Sequence, residues 1–155
     1  MNWKSLLLCV LVGFLLVQMP VWSEEGWLTN LDDGLKQAKA DNKRVLVDFT
    51  ATWCGWCTKL KNEVFDKKEF SDYAAKNLVL VSIDADQNRE LVDKYKVSGF
   101  PTVMVMDGEG KVVDQIVGFK PLEGFLETLK KTETAPTAAP VKTPEPVTPV
   151  ASETK

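Results

Sequence analysis

The sequence predicts an α/β fold in which a central mixed β-sheet has helices on both faces. Apolar runs of strand length alternate with segments of helical period along most of the chain. A β-branched run at residues 45–50 leads directly into apolar positions at helical spacing. Further along, residues 107–110 carry the Asp-Gly signal of a hairpin, which joins two antiparallel strands. A sheet built from helical connections and one hairpin is mixed.

Residues 1–23 predict a secretory signal peptide. Lys4 gives a positive start, residues 6–17 form an apolar core, and residues 21–23 offer an imperfect cleavage site. The apolar run is shorter than the roughly 20 residues of a membrane-spanning helix. Residues 18–22 extend it close to that length, so an uncleaved membrane anchor stays open. We expect an extracytoplasmic protein, either periplasmic or secreted.

Residues 24–131 form the expected folded domain. The chain without its first 23 residues has about 130 residues, near the commonest size of a single domain. The net charge of −3 is spread along the chain without a basic stripe, so nucleic acid is not an expected partner. Removing residues 1–23 also removes Cys9 and leaves two cysteines, a count that suits an oxidising compartment. We expect a monomer.

The first helix is expected between residues 27 and 43. Thr29 or Asn30 can cap it, because short polar side chains accept hydrogen bonds from the free N–H groups of a helix start. Its apolar stripe consists of Leu31, Leu35 and Ala38. The strand Arg44–Thr50 follows this helix.

Three further elements separate this strand from the hairpin. Residues 66–69 have the pattern of a capping box that starts a helix running to about Lys76. Residues 78–83 are almost wholly apolar, which predicts a central strand buried on both faces. Residues 88–95 predict a short helix.

The last part of the chain contains the hairpin, a helix and a tail of different composition. Strands are expected at residues 102–106 and 111–117, and Pro121 suits the first turn of a helix to about Lys131. Residues 132–155 are rich in Pro, Thr and Ala, which predicts a disordered or polyproline-like tail. Its role as a spacer, a docking segment or a solvated tail without a partner stays open.

Cys54 and Cys57 lie three positions apart where the strand passes into the next helix. The apolar residues of that helix have helical spacing: Cys57, Leu60, Val64 and Phe65. The first turn of a helix has free N–H groups and a positive dipole end, where cysteine pKa values fall to roughly 3.5–7.5. Cys54 is therefore the expected attacking thiolate. Cys57, one turn further in and expected to be less exposed, can close a small disulfide with it.

Other uses of a cysteine pair fit this chain less well. A structural zinc site needs four Cys or His ligands, whereas the chain has three Cys and no His. Covalent haem needs a His after the second Cys, and Thr58 stands there. A Cys–His hydrolase would lack its base. A purely structural disulfide and a Cu(I) site between the two thiolates stay open, but we expect no bound metal and no cofactor.

Two segments carry a resemblance to a known family. Residues 45–57 resemble the active-site segment of the thioredoxin superfamily, and residues 99–102, Gly-Phe-Pro-Thr, resemble its cis-proline loop. The motifs stand in the family's order, and the resemblance covers about residues 31–131. Within residues 38–49 and 63–70 the chain is similar to an extracytoplasmic branch that includes the C-terminal domain of DsbD-type thiol reductases.

The resemblance implies the thioredoxin fold and a redox-active disulfide between Cys54 and Cys57. It also gives Asp48 the role of a buried proton acceptor for Cys57. Burial would raise the pKa of Asp48 toward neutrality, where the carboxyl group can exchange protons. The family often pairs this Asp with a Lys, but Leu80 stands at the matching position. A solvent-facing or edge Asp48 is the alternative.

The resemblance also implies a substrate-binding surface beside the cysteines. Pro101 would be cis and lie against the sulfurs, and the backbone of Phe100 would pair with an extended substrate. An apolar rim would favour protein or peptide disulfides over small polar ones, with ordinary packing of these aromatic residues as the alternative. The expected substrate-binding residues are Trp53, Gly55, Trp56, Phe100 and Pro101.

The residues between the cysteines favour a reductase. Gly55-Trp56 replaces the Gly-Pro of cytosolic thioredoxins and the x-His of strong oxidants. An imidazolium beside Cys54 would stabilise its thiolate and make the disulfide more oxidising, and Trp56 supplies no such charge. We expect a protein-disulfide reductase that needs an upstream electron donor, a membrane-bound one among the options. A disulfide oxidase or isomerase, a Cu(I)-binding module and a tethering protein stay open as alternatives.

Overall fold

The computed structural model describes residues 26–134. In chain order its elements are β1 (Trp27–Leu28), α1 (Leu31–Asp41), β2 (Arg44–Thr50), α2 (Gly55–Leu60), a π-helical turn (Lys61–Phe65), α3 (Lys68–Asn77), β3 (Leu78–Asp84), α4 (Arg89–Lys94), β4 (Thr102–Met106), β5 (Val112–Val117) and α5 (Leu122–Thr134). The predicted signal peptide and nearly all of the predicted tail lie outside the described residues. Within them, no helix has the length and apolar character needed to cross a membrane.

The strands form one mixed sheet in the order β1-β3-β2-β4-β5, which confirms the predicted class. Strand β2 lies in the middle, parallel to β3 and antiparallel to β4. Strands β4 and β5 form the predicted antiparallel hairpin. Because Asp48 on β2 pairs with Ser82 on one side and Val103 on the other, it lies inside the sheet and not at an edge.

Helices cover both faces of the sheet, as predicted. One face packs against α2, α3 and α5, and its buried residues include Leu46, Leu60, Val64, Phe70, Phe125 and Leu129. The other face packs against α1 and α4, and its buried residues include Ala38, Val47, Phe49, Val81 and Met104. Side chains alternate along a strand, so Asp48 points to the same face as Leu46. That face also carries α2, the helix of the cysteines.

The edge beside β3 differs from the prediction. Trp27 and Leu28 form the two-residue strand β1 and pair with Leu80 and Val81, a strand too short to give a periodic pattern in the sequence. Strand β3 is therefore second from the edge, and Leu80 is only half buried. The helix expected within residues 27–43 starts at Leu31, and of its two predicted caps Asn30 is the one used: the N–H of Asp33 donates to Asn30 Oδ1 at 3.1 Å.

The predicted capping box at residues 66–69 is wrong. The N–H of Asp66 donates to the carbonyl of Lys61 at 2.9 Å, so Asp66 belongs to the end of the π-helical turn. Its carboxylate accepts from Lys61 Nζ at 3.0 Å. Helix α3 therefore begins at Lys68, after Lys67, whose side chain makes no capping bond. Because Asp66 is the C-cap of the π-helical turn, it does not cap α3, and the predicted box does not form.

The last helix begins where the sequence predicts and ends three residues later, at Thr134. The carbonyl of Pro121 accepts the N–H of Phe125 at 2.9 Å, so Pro121 stands directly before the first helical residue. The helix continues past residue 131 because the hydroxyl of Thr132 is buried there. It lies 3.1 Å from Asp114 Oδ2 and 2.8 Å from the carbonyl of Thr128.

Candidate active site

Cys54 is the N-cap of α2, directly after the loop that leaves β2. Its Sγ accepts the backbone N–H of Cys57 at 3.1 Å, the contact that a capping oxygen makes in other helices. Its own N–H donates to the carbonyl of Ala51 at 3.1 Å, which fixes the turn between strand and helix. Cys54 and Cys57 are joined by a disulfide with Cα atoms 5.3 Å apart. The helix start thus directs one of its free N–H groups, that of Cys57, at the sulfur of Cys54.

The two cysteines are equally exposed, which corrects the expectation that Cys57 is less exposed. Each has 6% of its surface exposed, because a disulfide closed within one turn keeps both sulfurs at the same depth. Together with Ala51 they form a small buried cluster, against which Phe100 packs. The position at the helix start, and not exposure, therefore distinguishes Cys54 from Cys57.

Asp48 is a buried carboxyl group on the face of β2 that carries α2. It is 8% exposed, and its Oδ1 has no hydrogen-bond partner among the described residues. Burial raises the pKa of Asp48 from an ordinary 3.8 to about 7. Leu80 stands at the position that matches the frequent lysine partner of this Asp in the thioredoxin superfamily. It packs with Trp27 in the apolar core of this face. The solvent-facing alternative for Asp48 is excluded, and the group can carry a proton near neutral pH.

The loop before β4 lies on the other side of the cysteines. The Phe100–Pro101 peptide bond is cis in the structure. The carbonyl of Pro101 accepts the N–H of Gly118 at 2.8 Å, and the hydroxyl of Thr102 donates to the carbonyl of Gly99 at 2.7 Å. These bonds tie the loop to the start of β4 and to the residue that follows β5. Phe100 is thereby held beside the disulfide.

Two exposed tryptophans stand beside the cysteines. Trp53 is 68% exposed and Trp56 is 59% exposed, more than any other large apolar side chain among residues 26–134. Gly55, between Cys54 and Trp56, is also exposed. The ordinary-packing alternative therefore does not describe either tryptophan, since both keep most of their surface in solvent.

The Trp53 wall consists of Trp53, Phe100, Asp86 and Arg89. The ring of Trp53 meets the ring of Phe100 edge to face at 5.8 Å. Its indole N–H donates to Asp86 Oδ2 at 2.9 Å, and Arg89 Nη2 lies 3.6 Å from Asp86 Oδ1. The charges of this wall are therefore paired within the chain.

The Trp56 wall consists of Trp56, Lys59 and Phe119. The rings of Trp56 and Phe119 are 6.1 Å apart, and the ammonium of Lys59 lies 5.1 Å and 4.7 Å from their centroids. These are cation–π distances. The wall combines an exposed apolar surface with one positive charge.

Four of these wall residues were not predicted from the sequence: Lys59, Asp86, Arg89 and Phe119. Lys59 could have been, because residues three apart on a helix are neighbours and Trp56 is three positions before it. Phe119 and Asp86 come from distant loops, and no spacing in the sequence links them to the cysteines. The predicted residues Trp53, Phe100 and the two cysteines do meet in one place.

The chain belongs to the thioredoxin-like family. The family model described as a thioredoxin-like domain matches residues 31–133. The strand, the Cys-x-x-Cys helix start and the loop of Pro101 described above lie within that match.

Particular relatives agree with this membership. The chain is 31% identical over 125 residues to a protein disulfide-isomerase of Zea mays, covering 79% of this chain and 24% of that protein. It is 34% identical over 101 residues to the disulfide bond reductase DsbH of Chlamydia pneumoniae, covering 57% of this chain and 60% of that protein. A solved structure of a DsbH oxidoreductase superposes with a TM-score of 0.62 at 25% identity, covering 76% of this chain and 91% of that one. The chain thus spans about a quarter of the plant protein.

Proposed function

We propose that this protein is an extracytoplasmic protein-disulfide reductase that works through the Cys54–Cys57 pair. The observation that carries the proposal is the helix start at Cys54, where the backbone N–H of Cys57 donates to one sulfur of a closed Cys-x-x-Cys pair. This setting lowers the pKa of a thiol and makes its thiolate the nucleophile. The relative from Chlamydia pneumoniae, named as a disulfide bond reductase, supports the direction.

The reaction balances as two thiol–disulfide exchanges. The Cys54 thiolate attacks one sulfur of a substrate disulfide, forms a mixed disulfide and releases the other substrate sulfur as a thiolate. Cys57 then loses its proton to Asp48 and attacks the sulfur of Cys54, which releases the second substrate thiolate. The protein is left as the Cys54–Cys57 disulfide. An upstream dithiol donor returns two electrons and two protons to it.

The proposed reductase direction rests on the absence of a histidine between the two cysteines. The chain contains no histidine, and Trp56 stands where strong oxidants carry one. The reduced thiolate is then less stabilised and the disulfide is harder to reduce. Equilibration with glutathione should give a reduction potential near the −270 mV of thioredoxins, on the order of 150 mV below that of strong oxidants near −120 mV. A value near −120 mV would contradict the proposal.

The assignment of the two cysteines is tested by trapping. Without Cys57 the mixed disulfide has no resolving thiol, so Cys57→Ser should accumulate covalent complexes with protein substrates. Cys54→Ser lacks the nucleophile and should accumulate none, which makes it the matched control. Non-reducing electrophoresis of both variants measures the result. If Cys54→Ser accumulated more mixed disulfide than Cys57→Ser, Cys57 would be the attacking cysteine and Cys54 the resolving one.

The substrate surface and the donor are part of the same proposal. The exposed rings of Trp53 and Trp56 suit protein or peptide disulfides. Because Phe100 packs against the cysteines, we propose that its backbone pairs with an extended substrate segment. An upstream dithiol protein is the proposed donor, and the resemblance of residues 38–49 and 63–70 to DsbD-type domains makes a membrane-bound one an option. Metal analysis of the reduced protein separates this proposal from Cu(I) carriage, since stoichiometric copper would favour the latter.

The location rests on residues 1–23. Lys4 followed by the apolar residues 6–17 is the pattern of an exported chain. The mature protein should therefore begin at or near Glu24 and be found outside the cytoplasm. N-terminal sequencing of the protein from its native host measures this. A retained Met1 together with membrane association would favour the uncleaved anchor.

A further inference from the structure

The two walls beside the disulfide differ in how their charges are satisfied. On the Trp53 wall, the carboxylate of Asp86 receives the indole N–H of Trp53 at 2.9 Å and faces Arg89 at 3.6 Å. The charges of Asp86 and Arg89 thus offset each other, and the indole N–H of Trp53 is already hydrogen-bonded. This wall presents a substrate with apolar ring surface and little net charge.

The Trp56 wall keeps a positive charge that the chain pairs only weakly. Lys59 has its carboxylate neighbour, Glu63, at 4.0 Å, the outer limit of an ion pair, and both side chains are about half exposed. The rings of Trp56 and Phe119 attract the ammonium but accept none of its N–H groups in the way an oxygen would. Lys59 is therefore held in place by two rings, while no hydrogen bond from its ammonium to an oxygen occurs within residues 26–134.

The position of this wall relates it to the reacting sulfur. Trp56 follows Cys54 by two residues on the first turn of α2, and Lys59 stands on the next turn. Phe119 comes from the chain after β5, next to Gly118, whose N–H binds the loop of Pro101. A polypeptide whose disulfide reaches Cys54 brings the residues flanking that disulfide onto this wall.

We infer that the Trp56 wall is a specificity subsite for an acidic residue next to an apolar residue, flanking the disulfide of a protein substrate. The carboxylate binds the ammonium of Lys59, and the apolar side chain packs on the exposed ring of Trp56. Because the rings already hold Lys59, little side-chain freedom is lost when the carboxylate binds. The inference rests on the proposed reductase function and adds the substrate class to it.

The test uses two peptides that each contain one disulfide and differ at a single position beside it, Glu in one and Lys in the other, next to the same Leu. The pre-reduced full-length protein is mixed with each peptide, and oxidation of Cys54–Cys57 is followed in a single turnover by acid quench. The readout is the ratio of second-order rate constants, Glu peptide over Lys peptide. The wild type should favour the Glu peptide by about two- to fivefold, the effect expected of a partly exposed ion pair.

Variants at Lys59 separate charge recognition from structural damage. Lys59→Met should bring the ratio close to one, and Lys59→Glu should invert it, whereas structural damage would slow both peptides alike. Lys94 is the matched control, because its ammonium also lies over a ring, that of Tyr95 at 5.4 Å, on the other face of the sheet. Lys94→Met should keep the wild-type ratio.

The outcomes distinguish the subsite from the reductase itself. If the wild type reduces both peptides at one rate, or if Lys59→Glu keeps the preference for Glu, the subsite is refuted while the proposed function stands. If the reduced wild type oxidises with neither peptide and with no protein disulfide, the proposed function fails and the subsite fails with it. A wild-type ratio that falls toward one as salt is raised supports the ion pair.

Discussion

Strand β2 carries two charged residues, Arg44 at its start and Asp48 toward its end, and their surroundings differ. At the start, Arg44 donates to Tyr73 Oη at 3.2 Å, to Glu133 Oε1 at 3.4 Å and to the carbonyl of Leu129 at 3.4 Å. Toward the other end, Asp48 is 8% exposed and its Oδ1 has no partner among the described residues. Arg44 and Asp48 point to the same face of the sheet, since residues four apart on a strand share a side.

The difference separates a residue that stabilises the fold from one that costs stability. Arg44 ties β2 to α3 and α5 through Tyr73 and Glu133, so its partial burial is compensated by acceptors. A buried carboxylate without a partner is disfavoured in its charged form and raises the free energy of the native state at neutral pH. Asp48 therefore contributes nothing to the fold that an apolar residue would not. The proton-accepting role that we propose for it toward Cys57 would explain a carboxyl group at this place.

The largest expected effect is the pH dependence of stability that Asp48 causes. Its pKa rises from 3.8 in the unfolded chain to about 7 in the native state, so between these values the native state binds more protons. The free energy of unfolding must then fall as pH rises through this window, by up to about 4 kcal/mol at about 1.36 kcal/mol for each pH unit. Below pH 3.8 the residue has no effect, and above about pH 7 the penalty is complete.

Denaturant unfolding of the wild type and of Asp48→Asn from pH 3 to pH 9 measures this effect. The stability of Asp48→Asn minus that of the wild type isolates the residue from all other carboxylates. This difference should grow with pH between about 4 and 7 and then level off, leaving the variant at least as stable as the wild type at neutral pH. A difference that stays flat with pH would mean that Asp48 titrates normally in the native state.

The second effect is kinetic and concerns the resolving step. Asp48→Asn removes the proposed proton acceptor of Cys57, and general bases contribute at least about 100-fold in many enzymes. Release of reduced insulin in a single turnover should slow by about that factor. Mixed-disulfide formation by Cys57→Ser should be unchanged when Asp48→Asn is added, since that step belongs to Cys54. Insulin reduction at the wild-type rate would end the proton-acceptor role.

Local patterns were sufficient to predict most of the fold and the centre of the site. Strand β2 matches its predicted bounds because the run is β-branched and flanked by polar residues, and the hairpin matches because Asp-Gly occurs at its turn. Cys54 follows from the passage of a strand into a helix. The burial of Asp48 was expected from the resemblance to the thioredoxin superfamily, because the apolar strand alone left a solvent-facing or edge position open.

Features that depend on contacts between distant segments could not be predicted. Strand β1 exists because Trp27 and Leu28 pair with β3, and two residues have no period. The π-helical turn ends at Phe65 with Asp66 as its C-cap, so α3 starts one residue later than the capping pattern predicts. The partners of Arg44 lie on α3 and α5, and Asp86 reaches Trp53 from the loop after β3. Such pairs require the tertiary structure itself.

The third effect concerns Arg44, whose guanidinium is hydrogen-bonded at the start of β2. Arg44→Met keeps the aliphatic stem but deletes the guanidinium, and should destabilise the protein by about 1–2 kcal/mol, since hydrogen bonds to a charged group are lost at a site that is partly exposed. The potential and the rate of insulin reduction should stay at wild-type values, because Arg44 lies at the far end of β2 from Cys54. Chemical denaturation at pH 7 measures the loss. A large loss of activity in the folded variant would mean that the two ends are coupled.

The smallest effect concerns Tyr73, whose hydroxyl is hydrogen-bonded to Arg44 and Glu133. The hydroxyl of Tyr73 donates to Glu133 Oε1 at 2.6 Å and accepts from Arg44, and burial, with the bond to Glu133, raises the pKa of Tyr73 to about 12. Tyr73→Phe should cost about 1 kcal/mol, because Arg44 and Glu133 still meet at 3.4 Å without it. The cost should be constant from pH 6 to 9, where the hydroxyl keeps its proton, in contrast to the pH-dependent difference at Asp48.

A double-mutant cycle of Tyr73→Phe with Arg44→Met sharpens this prediction. Because the two residues share a hydrogen bond and a common partner in Glu133, the combined loss should be smaller than the sum of the single losses. Strictly additive losses would show that the guanidinium and the hydroxyl act separately. The start of β2 would then be stabilised by independent surface contacts, and the contrast with Asp48 would reduce to burial alone.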